Sequence, residues 1–485
     1  MTLSPNLRIR LWTAASAVAA VFLGTLIAQG SFFLPTLVAG FLGAVAMAQI
    51  QPVRIGTLLL GFALFGYIVG NRGFAQITLT QNLPILPAEF VLGVTASILI
   101  FRAVRKKASP VRKDFLNVAL FIWIVLSSVR FFYDLQKFGI IALRDYATIY
   151  YAAFFYVAQD AGRTGSGRSF LRLILLMAMG ALAAISPLYD LFPNFFLETL
   201  TFRQIPIIFF KGDLLGTFAA AGSLLFYACF ERRRSWAALA VCLVLAALAM
   251  ESNNRASMVG LAVACVALAI GRRWRYPAIF LSAAVGASCI ILAVAFVRNT
   301  PWQQTQVYET YEKVVSIGDP TGQGNYIGNE TSNKGDNNAF RWIWWQLTIE
   351  ETMRTNPWLG MGWGYDLSEA FERLYYPEGN DEFAARSPHS IFVTLFGRTG
   401  AVGLIAFAAV TGAILVRSVQ SIRAKRESAY LWAAVLVILS SSAFGVVLEG
   451  PMGAVIFWAM LGLASSYDIA ESGMPRDDSP SGPQT

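Results

Sequence analysis

Apolar runs of about 17–25 residues recur along nearly the whole chain, separated by short polar connectors. Each run is long enough to cross a bilayer as a helix. Between turns nothing alternates with the period of two that marks a membrane β-barrel strand. Only 14% of the residues are charged, against roughly 25% in a soluble domain, and 56% are hydrophobic. The expected fold is therefore all-α and polytopic. The first run lacks a small-residue cleavage site, so it reads as a retained span.

The net charge of +9 is not a nucleic-acid signal. Basic residues gather in the connectors "FRAVRKKASPVRK" (101–113), "ERRRS" (231–235), "GRRWRY" (271–276) and "RSVQSIRAKRES" (417–428), and in the N-terminal "NLRIR". The positive-inside rule puts these on the cytoplasmic side. About fourteen spans then alternate in orientation, starting near residues 11, 31, 55, 87, 114, 138, 169, 213, 236, 257, 277, 389, 429 and 453. Both termini fall inside, and the tail ending "GMPRDDSPSGPQT" has a disordered composition. The chain divides into an N-terminal bundle (1–199), a central region (200–416), a C-terminal hairpin (417–468) and the tail (469–485). The four cysteines form no CxxC pair and read as small packing residues.

The same parity puts five stretches outside: 194–213, the turn "ESNNRAS" (251–257), a loop of about ninety residues spanning 298–388, the start of the next helix at His389, and the turn "VLEGPMG" (447–453). The loop's middle (317–338) is rich in Gly, Asn and Asp and reads as mobile. "FRWIWW" (340–345) follows, and reads as a helix at the membrane interface. Its tryptophans, Trp345 among them, serve either as anchors or as a platform beside a lipid or sugar. "NPWLGMGWG" then turns away through its glycines.

His389 is the only histidine. "SPHS" reads as a helix start, with Ser387 as N-cap and Pro388 at the first position. The positive end of the helix dipole disfavours imidazolium, which suits a general base; the alternative is a polar residue at a helix end. One histidine without companion ligands argues against zinc. Arg255, Arg203, Lys211 and Arg341 stand on the side that the positive-inside rule disfavours. Singly each reads as structural; together, beside one histidine, they point to a phosphate-bearing lipid substrate.

Three stretches carry a family resemblance. "NNRASMVGLAVA" resembles the "SRG" turn and following helix of the O-antigen ligase and polymerase superfamily. "FRWIWWQLTIEETMRTNPWLGMGWG" resembles its "R…W…(N)PLLGxGxG" segment, and "PHSIFVTLFGRTGAVGL" is similar to its "HNxxLxxxxExGxxGL" signature. In order, they cover roughly residues 200–415. "ALRDYATIYY" (142–151) is a weaker likeness to an arginine-containing segment. Ser390 stands where Asn is usual and Arg398 where an acidic residue is common.

The resemblance implies a metal-independent, inverting glycosyltransferase of the bacterial inner membrane, without cofactor, working on the periplasmic face. Its donor is a glycan on undecaprenyl diphosphate, and its acceptor either a lipid A core (ligase) or another lipid-linked repeat (polymerase of O-antigen or exopolysaccharide). His389 would deprotonate the acceptor hydroxyl, Arg255 and Arg203 would hold the diphosphate, and Arg341 would stabilise charge. A diphosphate leaving group needs charge stabilisation rather than protonation, so one base and several arginines suffice. A flippase or other lipid transporter is the rival class. It calls for inverted repeats and midplane charges, of which Arg144–Asp145 is the main example.

Overall fold

The computed structural model describes residues 54–78, 86–106, 109–252, 254–324, 326, 329–375 and 385–471. The spans expected near residues 11 and 31, and the tail beyond Glu471, lie outside them. The elements in chain order are α1 (Ile55–Val69), α2 (Asn71–Gln76), α3 (Pro87–Lys106), α4 (Phe115–Phe138), α5 (Ile140–Tyr150), α6 (Phe154–Ala161) and α7 (Gly165–Leu191). A two-stranded hairpin, β1 (Thr201–Phe202) and β2 (Ile205–Pro206), precedes α8 (Gly212–Arg233), α9 (Trp236–Glu251), α10 (Arg255–Ile270) and α11 (Arg275–Val297). The long loop carries α12 (Gln306–Ile317), α13 (Asn329–Thr355) and α14 (Glu369–Tyr375). Last come α15 (Ile391–Arg423), α16 (Ala429–Ser442) and α17 (Pro451–Glu471).

Among the described residues seven helices are long and apolar enough to cross a membrane: α3, α4, α7, α8, α11, α15 and α17. The spans expected near residues 55, 236, 257 and 429 form the shorter apolar helices α1, α9, α10 and α16. At 14 to 16 residues these reach only ~21–24 Å, less than the ~30 Å hydrocarbon core. The span expected near residue 138 is divided: α5 passes through a 3₁₀ turn (Tyr151–Ala153) into α6.

Polar side chains start several helices where the apolar runs begin. Asp114 accepts from Asn117 N at the head of α4, Thr164 from Gly167 N at α7, and Ser235 from Ala238 N at α9. Each satisfies an N–H that helix geometry leaves without a partner. α17 is the most enclosed span, packed by α1, α6, α7 and α16, with 89% of its apolar window buried. α11, at 6%, touches only α9, α10 and α12 among the stronger contacts and presents the rest of its surface outward. An all-round apolar helix so little covered by protein is suited to lipid.

The long loop is more regular than its composition suggests. Within 317–338, Asp319 accepts from Gly324 N (2.7 Å), Gln323 N and Tyr326 Oη. α13 begins at Asn329, inside the stretch expected to be mobile, and Asn338 Nδ2 donates to the carbonyls of Ser316 and Asp319 at 2.8 and 2.7 Å. Side-chain amides closing the end of α12 are what hydropathy cannot register, since each bond joins residues far apart in sequence.

α15 is broken. Gly400 adopts φ 61°, ψ −161° inside its 33 residues, dividing an outer piece (391–399) from a segment (401–423) that is itself long enough to span. Ala401 N and Val402 N, which an unbroken helix would direct at Gly397 and Arg398, donate to Pro357 O (2.8 Å) and Trp358 O (3.1 Å). The freed carbonyls of Gly397 and Arg398 accept from Met361 N (2.8 Å) and Gly362 N (3.0 Å). The "NPWLGMGWG" turn thus supplies the two missing rungs in both directions. Glycine is required on both sides. A Cβ at Gly400 would lie 2.4 Å from Trp358 C, and one at Gly360, itself at φ 70°, 2.6 Å from Gly400 N. Asp134 on α4 holds the turn from below, accepting from Trp363 N at 2.8 Å while paired with Arg130 at 2.9 Å.

Candidate functional site

The segment leading into α15 sets the position of His389. The helix starts at Ile391 with Ser390 as N-cap (φ −151°), so the expected cap at Ser387 and first turn at Pro388 are displaced by three residues. Ser390 makes no side-chain cap bond; its carbonyl accepts from Thr394 N at 2.8 Å. His389 itself sits in the left-handed region (φ 56°), where side chains are disfavoured, so surrounding structure must hold it. Trp345 does part of this: its Nε1 donates to Pro388 O at 2.5 Å. Trp344, fully buried and bonded to Leu367 O, lies with its ring centroid 5.8 Å from the imidazole. Trp345 therefore touches the segment that carries His389, a placement neither of the two sequence readings contained.

The imidazole is half-buried, and among the described residues its nitrogens make no hydrogen bond. Burial pushes its pKa down to about 4, Arg341 and Lys211 push the same way, and Asp213 opposes them. His389 is therefore neutral at neutral pH. The cause is desolvation and neighbouring cations rather than a place in the first turn of a helix.

Arg341 reaches this region from α13. Its Nη1 donates to Phe444 O (2.9 Å), while its Nε is buried and finds no acceptor among the described residues. A buried guanidinium N–H with no partner is costly, so this donor is free to meet an acceptor. Lys211 and Asp213, 3.3 Å apart at the head of α8, complete the charges around the ring. Arg255 stands close enough to Arg341 for the two cations to repel. It is the first residue of α10, set there by the N-cap Asn254, which accepts from Ala256 N. Arg255 Nη1 donates to Ser316 Oγ at 3.0 Å, so α12 orients it.

Arg203 is not brought in. It occupies the tip of the β1–β2 hairpin at φ 51°, exposed, with its guanidinium 5.1 Å over the Phe202 ring. Among the described residues no hydrogen bond or ion pair joins it to His389, Arg255 or Arg341. The hairpin's far end does reach the site: Phe209 pairs with the α2 segment, and Lys211 N donates to Asn71 Oδ1.

Sequence reading missed a carboxylate. Glu449, in the turn between α16 and α17, accepts from Thr394 Oγ1 at 3.0 Å, and Thr394 lies 3.1 Å from Ser387 Oγ. Burial raises the Glu449 pKa, while the Ser387 and Thr394 hydroxyls and the charges of Arg398 and Lys211 pull it down. "VLEGPMG" stands among the external stretches, but nothing local ties Glu449 to residues sixty positions earlier.

The site thus gathers a neutral imidazole with open nitrogens, a buried arginine with an unused donor, a second arginine and a lysine, with two carboxylates at the edge. It can take a proton from a hydroxyl while holding an anion. Residues 238–408 match the O-antigen ligase family. A search of curated proteins finds no match. The O-antigen ligase match includes Arg255, Arg341, Trp345 and His389, together with all three sequence stretches that carry the resemblance, and it leaves Arg203, Lys211 and Glu449 outside. The apolar helices and this match indicate a multi-pass membrane protein that carries a region of O-antigen ligase type. In general terms such a protein moves a glycan from a lipid-linked donor.

Proposed function

We propose that this protein transfers a glycan from undecaprenyl diphosphate to an acceptor hydroxyl by a metal-independent, inverting displacement. His389 takes the proton of the hydroxyl. Arg341, Arg255 and Lys211 hold the diphosphate and stabilise the charge it acquires as the glycosidic bond breaks. Trp345 positions His389 through Pro388. Arg203, at an exposed hairpin tip, stays out of the grip. The observation that carries this reading is the open, neutral imidazole beside the partnerless Nε of Arg341.

The orientation follows the same reading. The basic ends of α3, α8 and α15 gather at the Ser465–Glu471 end of α17, away from His389, as expected if they face the cytoplasm of a bacterial inner membrane and the site faces the periplasm. Both termini are then cytoplasmic.

The transfer assay uses vesicles carrying the purified protein, an undecaprenyl-diphosphate glycan, chelator, and either lipid A core or a second lipid-linked glycan as acceptor. Arg255→Lys keeps the charge but loses the fork, so activity falls nearly as far as in Arg255→Ala. Full activity in Arg255→Ala, or dependence on added divalent metal, overturns the assignment.

A pH effect follows from the cations around the ring. In the free protein the imidazole is protonated only as pH falls through about 4. A bound diphosphate neutralises Arg341 and Lys211, so the pKa of His389 rises and the base strengthens when the donor is in place. The acid limb of kcat therefore lies at higher pH than that of kcat/KM. Because the chain has one histidine, NMR of histidine-labelled protein reads the shift without assignment. An imidazole titrating near 6.5 in the free protein, or unmoved by a lipid diphosphate, contradicts this.

A further inference from the structure

At the end of the bundle away from His389, α7, α8, α16 and α17 line a small open cleft. Its wall is apolar, with Leu176 from α7 and Leu225 and Ala228 from α8 each partly exposed. Its mouth is charged. Arg172 Nη1 donates to Glu427 Oε1 at 2.8 Å, Arg232 Nη1 bonds the same oxygen, and Arg232 Nη2 donates to the Glu427 carbonyl at 3.1 Å. Two guanidiniums thus share one carboxylate oxygen, and all three side chains remain partly exposed, at 31%, 35% and 40%. The mouth carries an excess positive charge over an apolar wall.

The surroundings are lipid-like. Leu173 and Met177, beside the cleft on α7, are 39% and 44% exposed on a helix long enough to span. The cleft is not an extension of the site around His389. Tyr467 lines it, and Pro451, next to Glu449, lies ~24 Å away along α17.

We infer that this cleft binds an anionic phospholipid of the leaflet opposite His389, with the headgroup phosphate on Arg172 and Arg232 and an acyl chain along Leu176, Leu225 and Ala228. Arginine forks suit a phosphodiester, and Glu427 is the competitor that the phosphate displaces from them. A soluble phosphate satisfies the mouth but leaves the wall empty; a zwitterionic lipid fills the wall but brings its own cation to the mouth.

The test uses the full chain in a non-ionic detergent, with phosphatidylglycerol, phosphatidylcholine of the same acyl chains, and glycerol phosphate as probes. Native mass spectrometry reads the adduct and thermal unfolding reads the Tm. Phosphatidylglycerol should form the adduct and raise Tm, with the other two far weaker. Arg172→Ala with Arg232→Ala should weaken it roughly tenfold or more, the scale of lost charge-assisted bonds. If that variant does not fold, Glu427→Gln decides: freeing both arginines should tighten phosphatidylglycerol binding. Equal response to phosphatidylcholine, a response to glycerol phosphate as large as to the lipid, or unchanged or weaker binding in Glu427→Gln overturns the inference.

Discussion

His389→Ala should lower glycan transfer by about 10²–10⁴-fold, the usual contribution of a general base, while leaving the protein inserted at normal levels. The imidazole is half-buried but makes no hydrogen bond among the described residues, so its removal breaks no internal bond. Asparagine, small and tolerant of left-handed backbone, should retain the fold at φ 56° and still be inactive. His389→Gln can hydrogen-bond but is not a useful base, and should fail equally. Near-normal transfer by well-expressed His389→Ala protein would return this residue to a structural role at a helix end.

The second large effect is on stability. Arg398 and Asp145 are 3% and 7% exposed and pair at 2.6 Å, joining α15 to α5. Removing one member of a buried pair costs about 3–5 kcal/mol, because the other charge stays buried. The two halves differ here. Asp145 has a second arginine, Arg386, at 3.9 Å, so Arg398→Ala leaves it a partner. Asp145→Ala leaves Arg398 with the Tyr365 carbonyl at 3.3 Å, the face of Trp363 and the Glu449 carboxylate, which is nearby but not bonded to it. Asp145→Ala should therefore lower Tm and yield more than Arg398→Ala, and Asp145→Leu with Arg398→Met should recover much of the loss. Equal, small shifts in both single variants would show that water reaches the pair.

That pair also explains part of what the sequence hid. Arg398 looked like a departure from an acidic pattern, and Arg144–Asp145 like stray charges in an apolar run. They answer one another across 253 positions, which no local window reveals. The membrane class is legible because hydropathy is local: long apolar runs can satisfy their backbone in lipid only as helices. Arg255 and Arg341 stand out in the sequence because arginine in a stretch that charge parity assigns to the outside calls for a reason. Glu449 and Asp213 are not, since a carboxylate at a helix end is ordinary until Thr394 or Lys211 is found beside it. The start of α15 was misplaced because Ser-Pro imitates a cap. The true boundary is fixed instead by the left-handed backbone of His389.

The exchange of rungs between α15 and the 357–362 turn has a consequence for biogenesis. The chain leaves the ribosome N-terminus first, so this turn emerges ahead of α15. The incoming helix then meets a finished template for the four bonds at its break. Were the two separated by a nick in the chain between residues 375 and 385, the pieces could still rejoin. Were their order reversed by circular permutation, α15 would enter lipid with two bare N–H and two bare C=O groups. Each such group is worth several kcal/mol in hydrocarbon. The order of the sequence, and not only its content, is part of how this site is assembled.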